Sequence, residues 1–507
     1  MDIQGFQPVE NGLQRDNSAI MDKIGLLFTR MNKDGIDYCH WKSNYHLLFA
    51  LSGNEDLDLL VKNEDFDAFI SILTELGFKQ AISIAGFSQP GVYHYLGHDE
   101  VSGSMVHVHA FRRILTGDSL LKSYALPMEK MLLDNIRFLK GIKVPSKNSE
   151  MVAFVLRHMI KLATLPDLIF SIRRYKPIME EYFWLKSEVN QQALLSLLDQ
   201  YFPKISKEKF VHAMEAFAAR RGVLKRIYLG WVIKKRLAMY RRYNIIEILW
   251  QSTIFLLIML SRKIFQKEKY KNLLSGGSII AFVGPQATGK STLSILVKKW
   301  LGEHLSVRYI HAGKPPSTWL TSIPNSLLPL FRKFLSSHRS TEIEKRVENE
   351  EHIDYSLIHL FRKIFLAYDR RSLLNRSFRQ SRKGKIIIAD RYPSETVGAV
   401  DGASFSDETI RGQNLRIKRL LMKIERSIYQ QISPPDLVIQ LSVPVELAVH
   451  RNQVRDKIGP RDSEYVRFRH KMKMQPAFSR PRVINISTGQ SLDKTLTEVK
   501  RIIWKNI

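Results

Sequence analysis

A single cysteine, Cys39, occurs in 507 residues, so no intrachain disulfide can form. That usage belongs to a reducing, cytosolic setting, and Cys39 itself reads as a buried thiol. The N-terminal stretch MDIQGFQPVENGLQRDN is polar and lacks the apolar core and cleavage pattern of a secretory signal, so a cytoplasmic chain is expected. Internal repeats and low-complexity tracts are absent too, which sets aside repeat arrays and biased linkers. The best candidate for a membrane span, Ile245 to Leu260 (IIEILWQSTIFLLIML), has sixteen residues and contains Glu247 and Gln251. A bilayer-spanning helix needs roughly 20 apolar residues, so this run falls short. Acidic residues are scarce: 78 Lys and Arg stand against 49 Asp and Glu, a formal net charge of +29. Such a chain should favour anionic partners, whether nucleotides, nucleic acid or an acidic membrane surface, and charge alone does not choose among them.

Apolar residues make up 44% of the chain and aromatics 10%, enough for a core in each of two to four domains. Three regions are expected. Residues 1–145 alternate helical and strand patterns: DFDAFISILTELGF repeats apolar residues at helical spacing with Gly77 as a stop, while LDLLV and MVHVHAF read as strands. Residues 146–272 read as a basic, mostly helical region, and residues 273–507 repeat strand, loop and helix, the grammar of a parallel sheet with crossover helices. From Arg220 to Asn272 there are fourteen Lys or Arg against two Glu, Glu247 and Glu268, and basic clusters flank Ile245–Leu260 on both sides. That run is expected to be either a buried interdomain helix or an interfacial helix whose flanks meet anionic lipid, which would make 220–272 a membrane-surface contact and the protein peripheral to the inner face of the membrane.

SIIAFVGPQATGKSTLSILVKKWL carries the strongest local signal. A short apolar strand, Ser278 to Val283, runs into Gly284, Gly289, Lys290 and Ser291, which complete G-x-x-x-x-G-K-[ST]. A helix with Leu293, Leu296, Val297 and Leu301 on one face follows. The glycines let backbone N–H groups curl around a phosphate, and the helix N-terminus adds partial positive charge. Gly284, Thr288, Gly289, Lys290, Ser291 and Thr292 are therefore the expected ATP-binding residues, with Lys290 on the β- and γ-phosphates and Ser291 on Mg²⁺. Further on, IFLAYDRRSLLNRSFRQSRKGKIIIADRYPSE places Asp369 and Arg370 on a helix and Asp390, Arg391 and Tyr392 at the end of a buried strand, where open α/β sheets bind ligands.

This arrangement resembles thymidylate kinase, with its helix ending Ala-Asp-Arg and its strand ending Asp-Arg-Tyr. PPDLVIQLSVPVELAVHRNQVRDK is similar to that family's later strand and arginine-bearing helix, so the resemblance spans residues 278 to about 500. It implies an α/β P-loop kinase fold and an ATP- and Mg²⁺-dependent phosphotransferase. Asp390 would assist Mg²⁺ or orient the acceptor, Arg391 and Arg370 would hold the acceptor's anionic group, and Arg451 would precede a lid from which Arg455, Lys457 or Arg461 closes on the transferring phosphoryl. Surface charge is the alternative for the lid arginines, a solvated helix position for Arg370 and Arg371, and a capping role for Asp390. HAGKPPSTW (311–319) stands where the family has Arg-Glu-Pro-Gly-Gly-Thr, Ser442 replaces an acidic residue, and an insert runs from Trp319 to about His352, so the acceptor stays open.

In the N-terminal region, Ser43 followed by Asp56-Leu57-Asp58 is similar to the nucleotidyltransferase superfamily, whose Gly-Ser turn precedes Asp-x-Asp on a strand. Residues i and i+2 of a strand share a face, so Asp56 and Asp58 could hold a metal ion and a nucleotide. Lys42 replaces the glycine, and His107 and His109 occupy the strand where a third carboxylate is expected. A binding fold without catalysis, an active transferase and surface carboxylates are the three readings. His94 or His98 with His107 and His109 could also form a metal site, against which stand exposed or core-satisfied histidines. Fusions of these two domain types resemble proteins of bacterial surface-carbohydrate biosynthesis, which points to a phosphorylated or sugar-containing acceptor. The competing class is a nucleic-acid-stimulated NTPase of end-processing or defence. It is the weaker fit, because no aromatic–basic interleaving of the single-strand-binding kind is present. A third reading is a scaffold that binds ATP without turnover.

Overall fold

The computed structural model describes residues 20–83, 89–117, 121–162, 175–218, 223–264, 271–323, 354–399, 401–454, 463–471, 478 and 482–507. Two compact units divide the chain, Met1–Lys269 and Tyr270–Ile507.

The first unit opens with α1 (Asp22–Lys33), β1 (Tyr38–His40), β2 (Leu57–Val61), α2 (Phe66–Glu75), β3 (Lys79–Ser83), β4 (Val92–His98) and β5 (Met105–Phe111). The strands lie in the order β1-β2-β5-β4-β3; β2 runs parallel to β5, and the other neighbours are antiparallel. LDLLV is apolar at nearly every position because β2 is covered on both faces. Alternate residues part accordingly. Tyr38, Leu57, Leu59 and Val61 pack with Leu27, Phe28 and Phe69 of α1 and α2, while Cys39, Leu60 and Phe111 join a second core on the other side. Two hairpins, β6–β7 (Leu115–Thr116, Tyr124–Ala125) and β8–β9 (Ile136–Leu139, Ile142–Pro145), lead to α3 (Lys147–Leu162). That helix is apolar all round from Met151 to Leu156 because it is the centre of the second core. Around it lie α4 (Tyr175–Lys186), α5 (Gln191–Tyr201), α6 (Lys207–Ala218) and α7 (Val223–Arg236).

The run expected to be interdomain or interfacial forms α8 (Ile245–Ile264). Ile246, Trp250, Ile254, Leu257 and Leu260 are exposed along it, spaced by three or four residues and therefore on one face. No described helix is long and apolar enough to cross a membrane.

The second unit begins with β10 (Lys271–Leu273), which bridges to Leu305. It continues through β11 (Ile279–Val283), α9 (Lys290–Leu301), β12 (Val307–His311), α10 (Leu357–Ser381), β13 (Ile386–Asp390), α11 (Arg416–Gln430), β14 (Leu437–Ser442), α12 (Val445–Gln453), α13 (Ser463–Lys471), β15 (Arg482–Ser487) and α14 (Leu492–Asn506). β12 to β15 and β11 form one parallel sheet in the order β12-β13-β11-β14-β15. β11 and β13, inside the sheet, are buried along their whole length, which is why both read as unbroken apolar runs. Phe282 is in register with Asp390, as is His311, so the C-terminal ends of β11, β12 and β13 meet at one edge.

Candidate functional site

At that edge the chain leaves β11 and turns through 284–289 into α9. Gly284 has φ 140°, and a Cβ there would stand 2.3 Å from the Leu441 carbonyl oxygen of β14. Only glycine lets the loop start this close to the neighbouring strand. Ala287 and Gly289 also take positive φ, 61° and 86°, and Gly289 caps α9. The loop is braced from outside: His470 Nε2 donates to the Gln286 carbonyl at 2.8 Å, and Gln286 Nε2 donates to Asn452 Oδ1 at 3.2 Å.

Lys290 is buried and bonds back to the Pro285 carbonyl, with Thr288 Oγ1 at 3.3 Å. Thr288 in turn donates to the same carbonyl at 3.0 Å. Ser291 Oγ donates to Asp390 Oδ2 at 2.5 Å, and Tyr309 OH donates to the same oxygen at 3.1 Å. Burial first, then the Asp390 charge, pushes the Tyr309 phenol up to about 12, so it remains a donor. Asp390 is 1% exposed, yet its Oδ1 makes no hydrogen bond. An orphaned buried carboxylate oxygen beside a serine hydroxyl is what a divalent cation would satisfy, so these residues fit Mg²⁺. Thr292 is exposed on α9, one residue beyond the Lys-Ser pair.

Across the strand ends lies a second cluster. Arg370, from α10, is almost fully buried. It donates through Nε to the Ala312 carbonyl at 3.0 Å, through Nη1 to Tyr429 OH at 2.7 Å, and through Nη2 to Asp401 Oδ1 at 2.6 Å. Burial opposes its charge, but Tyr429 and Asp401 outweigh burial and raise the guanidinium pKa. Arg391 reaches the other oxygen of Asp401 at 3.2 Å, its side chain remains 38% exposed, and its own φ is 73°. A non-glycine residue held in that region is a strained position that the surroundings must enforce. Asp369, beside Arg370, turns the opposite way: its Oδ1 accepts from Thr318 N and Oγ1, both at 3.0 Å, and from Thr321 Oγ1 at 2.6 Å. Arg451 is tied to the Thr488 carbonyl at 2.7 Å. Arg455, Lys457 and Arg461 lie outside the described residues, as does most of the insert after Ile323.

Lys290, Ser291 and Asp390 are thus brought together, and Arg370 and Arg391 share Asp401. Sequence reasoning passed over Asp401, Tyr309, Thr318 and Thr321. Asp401 carried no motif signal; Tyr309 could have been found from its position on β12, level with the end of the P-loop strand. In the N-terminal unit Asp58 is buried and Asp56 is half-exposed, and both are paired. Lys42 Nζ stands 3.0 Å from Asp58 Oδ1, and both residues contact histidines of β5. Burial pushes Asp56 up, but His107 and His109 outweigh it and hold the carboxyl down at about 2.

A glycine cradle between strand and helix, a Lys-Ser pair at the helix start and a strand-end Asp on a parallel sheet define a P-loop α/β domain of the kinase fold. No protein-family model matches the chain, and no curated protein does. Among solved structures, thymidylate kinase from Candida albicans aligns with it at 17% identity and a TM-score of 0.27, over 46% of this chain and 92% of its own. Thymidylate kinase from Ehrlichia chaffeensis aligns at 18% identity and 0.26, over 45% of this chain and 99% of its own.

Proposed function

We infer that the C-terminal unit is an ATP-dependent phosphotransferase acting on a nucleotide or on a phosphorylated or sugar-containing acceptor. The observation that carries this is the buried Ser291–Asp390 pair at 2.5 Å, with Asp390 Oδ1 orphaned, at the mouth of a glycine cradle that holds Lys290. Ser291 and Asp390 would hold Mg²⁺, which when bound draws charge from the phosphate oxygens. The 284–289 backbone embraces the phosphate chain, and Lys290 leaves the Pro285 carbonyl for a phosphate oxygen, exchanging a neutral acceptor for a charged one. Arg391 offers a half-exposed cation held in place by Asp401, while Arg370 fixes Ala312 and Asp401 from behind. Phosphoryl transfer asks for such positioning and charge neutralisation more than for covalent chemistry. The resemblance to carbohydrate-biosynthesis fusions supports a sugar-bearing acceptor, and the departure of HAGKPPSTW from the Arg-Glu-Pro-Gly-Gly-Thr pattern keeps acceptors other than thymidylate open.

The test is ADP release with Mg–ATP, with and without thymidylate, beside Lys290→Ala, with ATP binding measured separately. Acceptor-dependent turnover lost in the variant supports a nucleotide kinase. ATP binding without response to thymidylate moves the acceptor search to sugar phosphates and lipid-linked glycans. A wild-type chain that binds no ATP overturns the reading.

A further inference from the structure

We propose that the first unit holds a transition-metal site built from His94, His107 and His109, with Asp56 as an oxygen donor. The three imidazoles each offer a nitrogen, and these atoms all lie within 4.8 Å of one another. Strand pairing brings them there. His94 on β4 sits directly opposite His109 on β5, and Asp58 on β2 is level with His109 on the other side, so Asp58, His109 and His94 form a row across three strands. His107, two residues before His109, projects from the same face, and Asp56 lies just before β2.

The carboxylates set the tautomers. Asp56 Oδ1 is 2.7 Å from His107 Nδ1, and Asp58 Oδ1 is 3.2 Å from His109 Nδ1. Each bond fixes the proton on Nδ1 and leaves Nε2 as a lone-pair donor, the carboxylate–histidine arrangement that supports metal ligands. His109 Nε2 is buried and makes no hydrogen bond; Asp56 Oδ2 lies 3.3 Å from it. His94 Nδ1 is likewise 3.3 Å from His107 Nε2. Bonds of about 2.0–2.1 Å in a tetrahedron require donor atoms about 3.3 Å apart, so both pairs already have the spacing of tetrahedral edges.

The chemistry of the set chooses the metal. Three imidazoles and one carboxylate suit a divalent ion of the zinc class, whereas Mg²⁺ prefers oxygen ligands and retains water. Lys42, paired with Asp58, offsets the second carboxylate and leaves the site with the single negative charge of Asp56 before an ion enters. The inference is independent of the kinase reading, because every residue in it belongs to the other unit.

The experiment uses the full chain, stripped with a chelator and titrated with Zn²⁺, then with Co²⁺ as a spectroscopic probe. One equivalent should bind with Kd below about 10 μM, and the Co²⁺ form should show the visible absorption of a tetrahedral nitrogen–oxygen site. His94→Gln and His109→Gln keep the side-chain volume and should each weaken binding at least about 100-fold, while Asp58→Asn, which removes the carboxylate behind His109 and the charge partner of Lys42 but no ligand, should cost about 10–100-fold. Lys290→Ala should bind metal like the wild type. Circular dichroism identifies folded variants. Absence of stoichiometric binding by the wild type overturns the proposal, and so does unchanged binding in folded His94→Gln and His109→Gln.

Discussion

Glu150, in the first turn of α3, is 2% exposed. Asn44 Nδ2 donates to its Oε1 at 2.8 Å, while its Oε2 makes no hydrogen bond. Charged groups around it include Glu181 from α4, Arg137 from β8 at 3.7 Å, Lys147 one turn earlier, and Arg157 along the same helix; the Cys39 thiol of β1 is a further titratable neighbour. Burial, reinforced by Glu181, outweighs Asn44, Arg137 and Lys147 and raises the Glu150 carboxyl from its ordinary 4.5 to about 8. A raised carboxyl binds its proton more tightly in the folded than in the unfolded chain. Its contribution is therefore fully present below about pH 4.5 and is lost as pH rises towards about 8. At 1.36 kcal/mol per pH unit that interval caps the loss at about 5 kcal/mol, and relaxation around the charged form brings the expected figure to about 2–3 kcal/mol.

Glu150→Gln keeps an oxygen for Asn44 and cannot ionise. Urea unfolding between about pH 5 and 9 should show the wild type losing stability across that window through this group. The variant should lack the step and be the more stable of the two above pH 8. With two units in one chain, the relevant transition is found by pulse-labelled hydrogen exchange of the 147–162 backbone rather than from a single global midpoint. The same pH slope in both proteins, or a wild type that gains stability relative to the variant from pH 5 to 8, would refute the reasoning.

Gly284→Ala should destroy ATP binding in a chain that still folds its first unit. The added carbon meets the Leu441 carbonyl at 2.3 Å at a φ of 140°, and nucleotide titration with circular dichroism checks it. Asp369→Ala strips the acceptor from the Thr318 amide and from two threonine hydroxyls, so the second unit should lose about 2–4 kcal/mol in denaturant unfolding. The exposed stripe Ile246, Trp250, Ile254, Leu257 and Leu260 lies close in sequence to Lys234, Lys235, Arg236, Arg241 and Arg242. Sedimentation should therefore show binding to anionic but not neutral vesicles, weakened about tenfold by salt and by Trp250→Glu.

How far each site could be read in advance follows from where its residues sit in the chain. The P-loop was legible because its parts lie within one short stretch from Val283 to Ser291, and the spacing of Gly284 and Gly289 has one mechanical reason. Asp390 was legible because a buried parallel strand announces itself as an apolar run and its end marks a ligand edge. Asp401 was not, since nothing local to it says that two arginines, one from α10 and one after β13, will share its carboxylate; that fact exists only once the chain is folded. The histidine cluster shows the same limit more sharply. His94, His107 and His109 have a spacing that matches no metal-binding signature, because their proximity comes from the register of β4 against β5 rather than from sequence distance. One residue of slip between those strands would turn His94 to the opposite face and dissolve the cluster. Register is fixed by the two-sided burial of the sheet, in which Tyr95, Val106, Val108 and Ala110 must all reach the same core. The proposed metal site is thus secured by the packing of its apolar neighbours, and a core substitution such as Val108→Asp should abolish Zn²⁺ binding without touching a ligand.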